Sequence, residues 1–179
     1  MRKVILVFGL LAGVIVSIFM VITMKLCESG AINFDNSDFI GYGSMVIALS
    51  MIFFGIKSYR DNYQNGVIKF GKGFQVGMLI TLVASLINAA AGEGYYQINP
   101  EGQAALMDKY ADHHINKMKE NGASSAEIDQ KFKEMADLKE MHKNPGMRFA
   151  MTLVIILPVG IAITLFSAAV FAIKKFLPA

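Results

Sequence analysis

The side chains best suited to acid–base, nucleophilic or metal chemistry are few, and their spacing sets what each can do. The three histidines are His113, His114 and His142. His113 and His114 are adjacent, so on a helix they point about 100° apart and cannot share a metal ion by themselves. His142 would have to approach one of them through a fold-back of the chain, with Asp108, Asp112 or Glu140 adding an oxygen ligand. The simpler expectation is three solvated histidines and no cofactor. The single cysteine, Cys27, excludes an intramolecular disulfide and any multi-cysteine metal site. The preceding Met24-Lys25-Leu26 lacks the small residues of a lipoprotein signal. No glycine-rich phosphate loop and no histidine pair flanking a glutamate is present, so the expectation is a protein that is not an enzyme.

Glu93 is a carboxylate beside a long apolar run, and Asn88 lies five residues before it near the same end. Ionisable groups at membrane depth often mark function. With Tyr42, these two form a candidate polar or ligand site. The sequence offers Glu93 no basic partner, which argues against proton-coupled transport. Tyr95 and Tyr96 read as interfacial anchors. A second group lies in the segment GIKSYRDNYQNGVIKFGKGF, Gly55 to Phe74. Lys57, Arg60, Lys69 and Lys72 could contact lipid phosphates there, with Tyr59, Tyr63 and Phe70 at headgroup level. Asn65-Gly66 is a strong turn signal.

The elements that must position these residues follow from the apolar pattern. Hydrophobic residues make up 54% and charged residues 17%, against about 25% charged in soluble domains. The apolar residues cluster in four runs: Val4–Met24, Phe39–Ile56, Phe74–Ala91 and Phe149–Ile173, the last containing Pro158. A helix that crosses a bilayer needs about 20 such residues. The first run is too long for a signal-peptide core of about 7–15 residues, and no clean cleavage site follows it. Basic residues next to spans stay in the cytoplasm. Arg2, Lys3, Lys57, Arg60, Lys69, Lys72, Lys174 and Lys175, against Asp61 alone, give one side +7. The other side holds nine basic and thirteen acidic side chains, or −4, which restores the formal +3. Both termini are therefore expected in the cytoplasm and residues 94–146 outside. This bias accounts for the net positive charge without nucleic acid. Arg148 falls on the outer side and is expected to reach up to headgroups.

Small residues recur every fourth position within the spans: Gly9, Gly13 and Ser17; Ser44 and Ala48; Gly73, Gly77, Thr81 and Ser85; Gly160, Thr164, Ala168 and Ala172. Such ridges let membrane helices approach closely, either within one chain or between copies. Outside the membrane, residues 99–144 read as a helical hairpin. Asn99-Pro100 starts one helix and Asn121-Gly122 ends it. Ser124 and Glu127 make a capping box for the second. The first helix lines up Met107, Tyr110, His114 and Met118, and the second Ile128, Phe132, Met135, Leu138 and Met141. The fold expected is all-α, a single membrane domain of four transmembrane helices with an amphipathic hairpin between spans three and four.

The opening basic, glycine-containing first span, IGYGSMVIALSMIFFGIKSYRD from Ile40 to Asp61 and GVIKFGKGFQVGMLI from Gly66 to Ile80 resemble a bacterial membrane family known as domain of unknown function number 4199, found mainly in Bacteroidota. The stretch from Glu127 to Phe149 resembles its outer segment, so the similarity covers essentially the whole chain. It implies four spans in a bacterial inner membrane and supplies no activity, ligand or catalytic residue.

Two functions compete on this reading. The first is a structural or accessory inner-membrane protein that binds another membrane or periplasmic protein through Met107, Tyr110, Met118, Phe132, Met135, Leu138 and Met141. The alternative is a small transporter or lipid-handling protein, assembled as a homo-oligomer and using Asn88, Glu93 and Tyr42.

Overall fold

A computed structural model describes residues 1–173, with Asp38 as backbone only. Lys174 and Lys175, part of the charge argument above, lie outside the described residues. The described chain is all helix: α1 (Arg2–Glu28), α2 (Phe34–Leu49), α3 (Met51–Tyr63), α4 (Phe70–Ile98), α5 (Pro100–Glu120), α6 (Ser125–Lys143) and α7 (Pro145–Ala172). Four segments are long and apolar enough to cross a membrane: α1, α2 with α3, α4 and α7. The α5–α6 hairpin stands between the third and fourth.

Each span runs further than its apolar core, because helix caps and interfacial residues extend it. Asn33 accepts the Asn36 amide at 2.9 Å and starts α2 five residues before Phe39. The second span is not continuous. Ser50 separates α2 from α3, and its hydroxyl donates to the Ile47 carbonyl at 2.6 Å, a local bond that competes with the helical ladder. Asn65 and Gly66 both take positive φ, 49° and 78°, which makes the expected turn before α4. Pro158 sits inside α7, and the helix continues to Ala172.

The small-residue ridges pack within the chain. Along the antiparallel α4–α7 contact, a Cβ on Gly73 would lie 3.3 Å from Ala168 Cβ, and one on Gly77 would lie 2.6 Å from Thr164 Cγ2. A Cβ on Gly160 would collide with Thr81 Cγ2. The two helices thus interlock glycine against threonine, twice and reciprocally. Thr81 and Ser85 return their hydroxyls to the Gly77 and Thr81 carbonyls, at 3.0 and 2.8 Å, whereas the buried Thr164 and Ser167 hydroxyls of α7 have no hydrogen-bond partner among the described residues. Along the parallel α1–α4 contact, Gly9 faces Val83, and Gly13 faces Ile87 and the Ala84 carbonyl. Dispersion at such close approach is what holds helices together where water cannot drive them.

The buried core is concentrated toward the end of the bundle where α1 begins and α7 ends. It contains Val4, Ile5 and Ala12 of α1, Leu49 at the end of α2, Ile52 and Ile56 of α3, Val76, Ile80 and Ala84 of α4, and Phe171 of α7. Toward the hairpin end the four spans diverge around a cavity.

The hairpin forms where its caps direct. Asn99 Oδ1 accepts the Gly102 amide at 3.2 Å. Gly122 ends α5 with φ of 75°, and Asn144 accepts the Gly146 and Met147 amides at 2.9 and 3.3 Å to open α7. The Ser124 amide and hydroxyl both donate to Glu127 Oε2 at 2.7 Å. These bonds, the hydroxyl's first, hold the Glu127 carboxyl below its ordinary pKa. That contribution is present above the ordinary carboxylate range and is lost as pH falls through the lowered value. Ser124→Ala is expected to cost about 1 kcal/mol. It should raise amide exchange over the first turn of α6, with the spans unchanged.

The methionine face is only partly as expected. In α5, Met107, Tyr110, His114 and Met118 are half-buried, while the deepest positions are Ala111 and Ile115. In α6 only Met135 is buried, and Phe132 and Met141 are exposed. The reason is helical drift. Steps of three residues fall about 60° short of a full turn, so Phe132 and Met141, nine residues apart, lie on opposite sides of α6. They therefore do not share one interface, as the sequence pattern had implied.

A candidate ligand chamber beneath the hairpin

The cavity has a volume of about 740 Å³ and is half open. Its walls are the hairpin-side halves of α1, α2, α4 and α7, and its roof comes from α5 and α6. Met20, Met24, Phe34, Met45, Phe149 and Ile156 supply an apolar lining. Polar groups converge on it from Asn88, Glu93, Arg148, Lys139 and His142.

Two helical extensions build the polar wall. Helix α4 continues through Gly92-Glu93-Gly94 instead of ending there, and Asn144 starts α7 just before Arg148. Arg148 donates from Nε to Glu93 Oε2 at 2.9 Å and from Nη2 to Oε1 at 2.6 Å. Its Nη1 donates to the His142 carbonyl at 2.6 Å. Its guanidinium carbon lies 3.7 Å from the centre of the Tyr96 ring. A bidentate ion pair with a ring beneath it is a rigid arrangement. The two side chains keep only 11% (Arg148) and 18% (Glu93) of their exposure. Two expectations are corrected here. Glu93 does have a basic partner, and Arg148 is held by that partner instead of reaching to headgroups.

Asn88, 4% exposed, is the most buried polar side chain of the chamber lining. Ser17 Oγ lies 2.7 Å from the Gly13 carbonyl and 3.1 Å from Asn88 Oδ1. One hydroxyl proton cannot serve both acceptors well. Turning the amide lets Ser17 Oγ donate to the Gly13 carbonyl while accepting from Asn88 Nδ2, and leaves Oδ1 able to accept.

Glu28, which the sequence did not single out, ties the roof to the walls. Its Oε1 accepts from Tyr95 Oη at 3.3 Å, Asn99 Nδ2 at 3.2 Å and Gln103 Nε2 at 3.2 Å. Tyr95, read from the sequence as an interfacial anchor, is part of this junction. On the other side of the roof, Lys117 reaches Asp35 at 2.5 Å, and Phe34 meets Tyr110 edge to face with centroids 5.6 Å apart.

Other candidates fall elsewhere. Tyr42 is 59% exposed and lies outside the chamber, whose α2 lining is Phe34, Ser37, Gly41, Ser44 and Met45. It does not join Asn88 and Glu93. Arg60 is 3% exposed, donates to Asp61 Oδ1 at 2.6 Å and lies 4.9 Å from the centre of the Phe171 ring. Burial removes it from the expected lipid-phosphate set. Lys57 pairs with Asp61 at 3.0 Å, Lys72 donates to Gln75 at 2.9 Å, and Lys69 is exposed. His113 faces Asp35 at 3.3 Å, and His142 Nδ1 lies 2.9 Å from the Leu138 carbonyl. Among the described residues, no three His, Cys, Asp or Glu side chains gather in a way that could hold a metal ion.

The family described as Protein of unknown function (DUF4199) matches residues 7–172, nearly the whole chain. The chain belongs to that family. As a DUF4199 protein with four long apolar helices it is a multi-pass bacterial membrane protein. No curated protein and no solved structure matches it.

Proposed function

We propose that this DUF4199 protein binds a membrane amphiphile in the chamber beneath its hairpin. One observation carries the reading: a half-open cavity of about 740 Å³ whose mainly apolar lining is interrupted by Asn88, Glu93 and Arg148. Its size falls within the roughly 300–1,000 Å³ of small-molecule sites. An apolar chain would lie against Met20, Met24 and Ile156, and a polar head would meet Asn88, Glu93 and Arg148. We place both termini in the cytoplasm and the hairpin in the periplasm of an inner membrane, on the distribution of Arg2, Lys3, Lys57, Lys69 and Lys72. The chamber then lies at the level of the outer leaflet.

Docking of a protein on the hairpin is the second reading. It rests on the exposed Phe132 and Met141. We rank it lower because these two residues face opposite sides, and because Met107, Tyr110 and Leu138 line the chamber.

Gly41 provides the test. It lines the chamber, and a Cβ there would meet no atom within 4 Å. Gly41→Phe therefore projects a ring into open space at a helical position where glycine is the less stable choice. The full-length variant is expected to fold as the wild type does. Lipid retained through purification, counted by native mass spectrometry, should drop about tenfold, or about 1.4 kcal/mol of binding. Equal lipid retention in both proteins would remove the chamber from the function.

A further inference from the structure

Resting on the chamber as an amphiphile site, we infer that its occupant is a phospholipid with a zwitterionic headgroup, drawn from the surrounding bilayer. The argument is charge compensation. Each fixed charge on the chamber wall has its own partner. Glu93 holds Arg148, Asp108 holds Lys139 at 2.6 Å, and Lys143, also in the lining, is paired at 2.5 Å with Glu140, which lies outside it. A headgroup with net charge would give up hydration on entering a half-enclosed site and find no uncompensated countercharge. A zwitterion brings both charges and can align them against an existing pair.

The geometry of the Glu93–Arg148 pair suits this role. Three contacts use three of the five guanidinium N–H groups. Two donors remain for phosphate oxygens without breaking the pair. Glu93 Oε1 accepts from Arg148 and Gln97, while Oε2 accepts only from Arg148. Oε2 therefore retains acceptor capacity for an ammonium. Cation and anion acceptor lie side by side on one rigid wall, as the phosphate and amine do in an ethanolamine headgroup. A pair serving only as a clamp between α4 and α7 would show no headgroup preference.

The experiment is a competition on the full chain. The detergent-purified protein is offered equimolar phosphatidylethanolamine and phosphatidylglycerol with identical acyl chains, and retained lipid is counted by native mass spectrometry. The wild type is expected to favour the ethanolamine lipid about fivefold or more. Glu93→Gln leaves Arg148 uncompensated in the wall and should move the ratio about tenfold toward phosphatidylglycerol. Arg148→Gln leaves Glu93 uncompensated and should move it further toward phosphatidylethanolamine. Both variants weaken the same clamp, so a merely structural role cannot produce shifts of opposite sign. Lys119→Gln, an exposed lysine in the last turn of α5 that does not line the chamber, should leave the ratio unchanged.

A wild type that retains both lipids above the Gly41→Phe level but prefers phosphatidylglycerol, or shows no preference, overturns the zwitterion assignment and leaves the chamber reading in place. A wild type that retains neither lipid above that level overturns both. If one charge variant fails to fold, the wild-type ratio and the other variant still decide the matter.

Discussion

Gly160→Leu is expected to break the contact between α4 and α7 and to have the largest effect of any single change in the bundle. Even one methyl on Gly160 would overlap Thr81 Cγ2, and Thr81 is fully buried with its hydroxyl committed to the Gly77 carbonyl. Neither partner has room to retreat. Overpacking a tight core costs about 1–3 kcal/mol and occasionally more. Leucine belongs at or above the top of that range, which corresponds to a melting temperature lower by roughly 6–12 °C for a chain of this size. Gly160→Ala should cost less, and Thr81→Ala should recover part of that loss by removing the atoms it strikes. A coupling above about 0.5 kcal/mol in the double-mutant cycle would show the direct contact. Gly71→Ala, where nothing lies within 4 Å of the new atom, is the control and should not destabilise. If Gly160→Leu melts with the wild type, the reciprocal glycine–threonine seam is not what holds the two helices.

Arg148→Met should come next. It retains much of the apolar stem and leaves Glu93 charged, against a wall that no longer answers it. Removing one member of a buried pair costs about 3–5 kcal/mol. The lower end applies here, because Glu93 keeps 18% of its side-chain exposure. The loss reaches beyond α4 and α7, since Arg148 also holds the His142 carbonyl at the end of α6. Hydrogen exchange should therefore rise over the last turn of α6 as well as around Glu93. Exchanging the two residues, Glu93→Arg with Arg148→Glu, should restore much of the stability by re-forming a pair. A cost below about 1 kcal/mol would put the interaction with exposed surface ion pairs and deprive the chamber of its fixed wall.

The number and type of elements follow from local rules. Four apolar runs can be read as spans because a helix satisfies its backbone internally in lipid. The hairpin was legible in its caps: Asn99, Gly122 and the Ser124–Glu127 box all act at the predicted positions. These signals need only a few neighbouring residues, and so they survive without knowledge of the fold. Span lengths were less legible, because capping by Asn33 and the continuation of α4 past Gly94 carry helix into polar sequence.

Which residues meet was decided by tertiary structure. The Gly73-Gly77-Thr81 and Gly160-Thr164-Ala168 ridges were visible as spacing, but spacing alone cannot choose between a partner helix in the same chain and one in another copy. Their register against each other fixed that choice. The Glu93–Arg148 pair had a usable signal. Helices α5 and α6, of 21 and 19 residues, run out and back by nearly equal lengths and return the chain to where it left α4. Opposite charges at the two bases of such a hairpin are brought together by its geometry. The chamber had no sequence signal, because a cavity is defined by where side chains from six helices stop short of one another. Sequence determines what each helix presents, and only the crossing of the helices decides what is left empty between them.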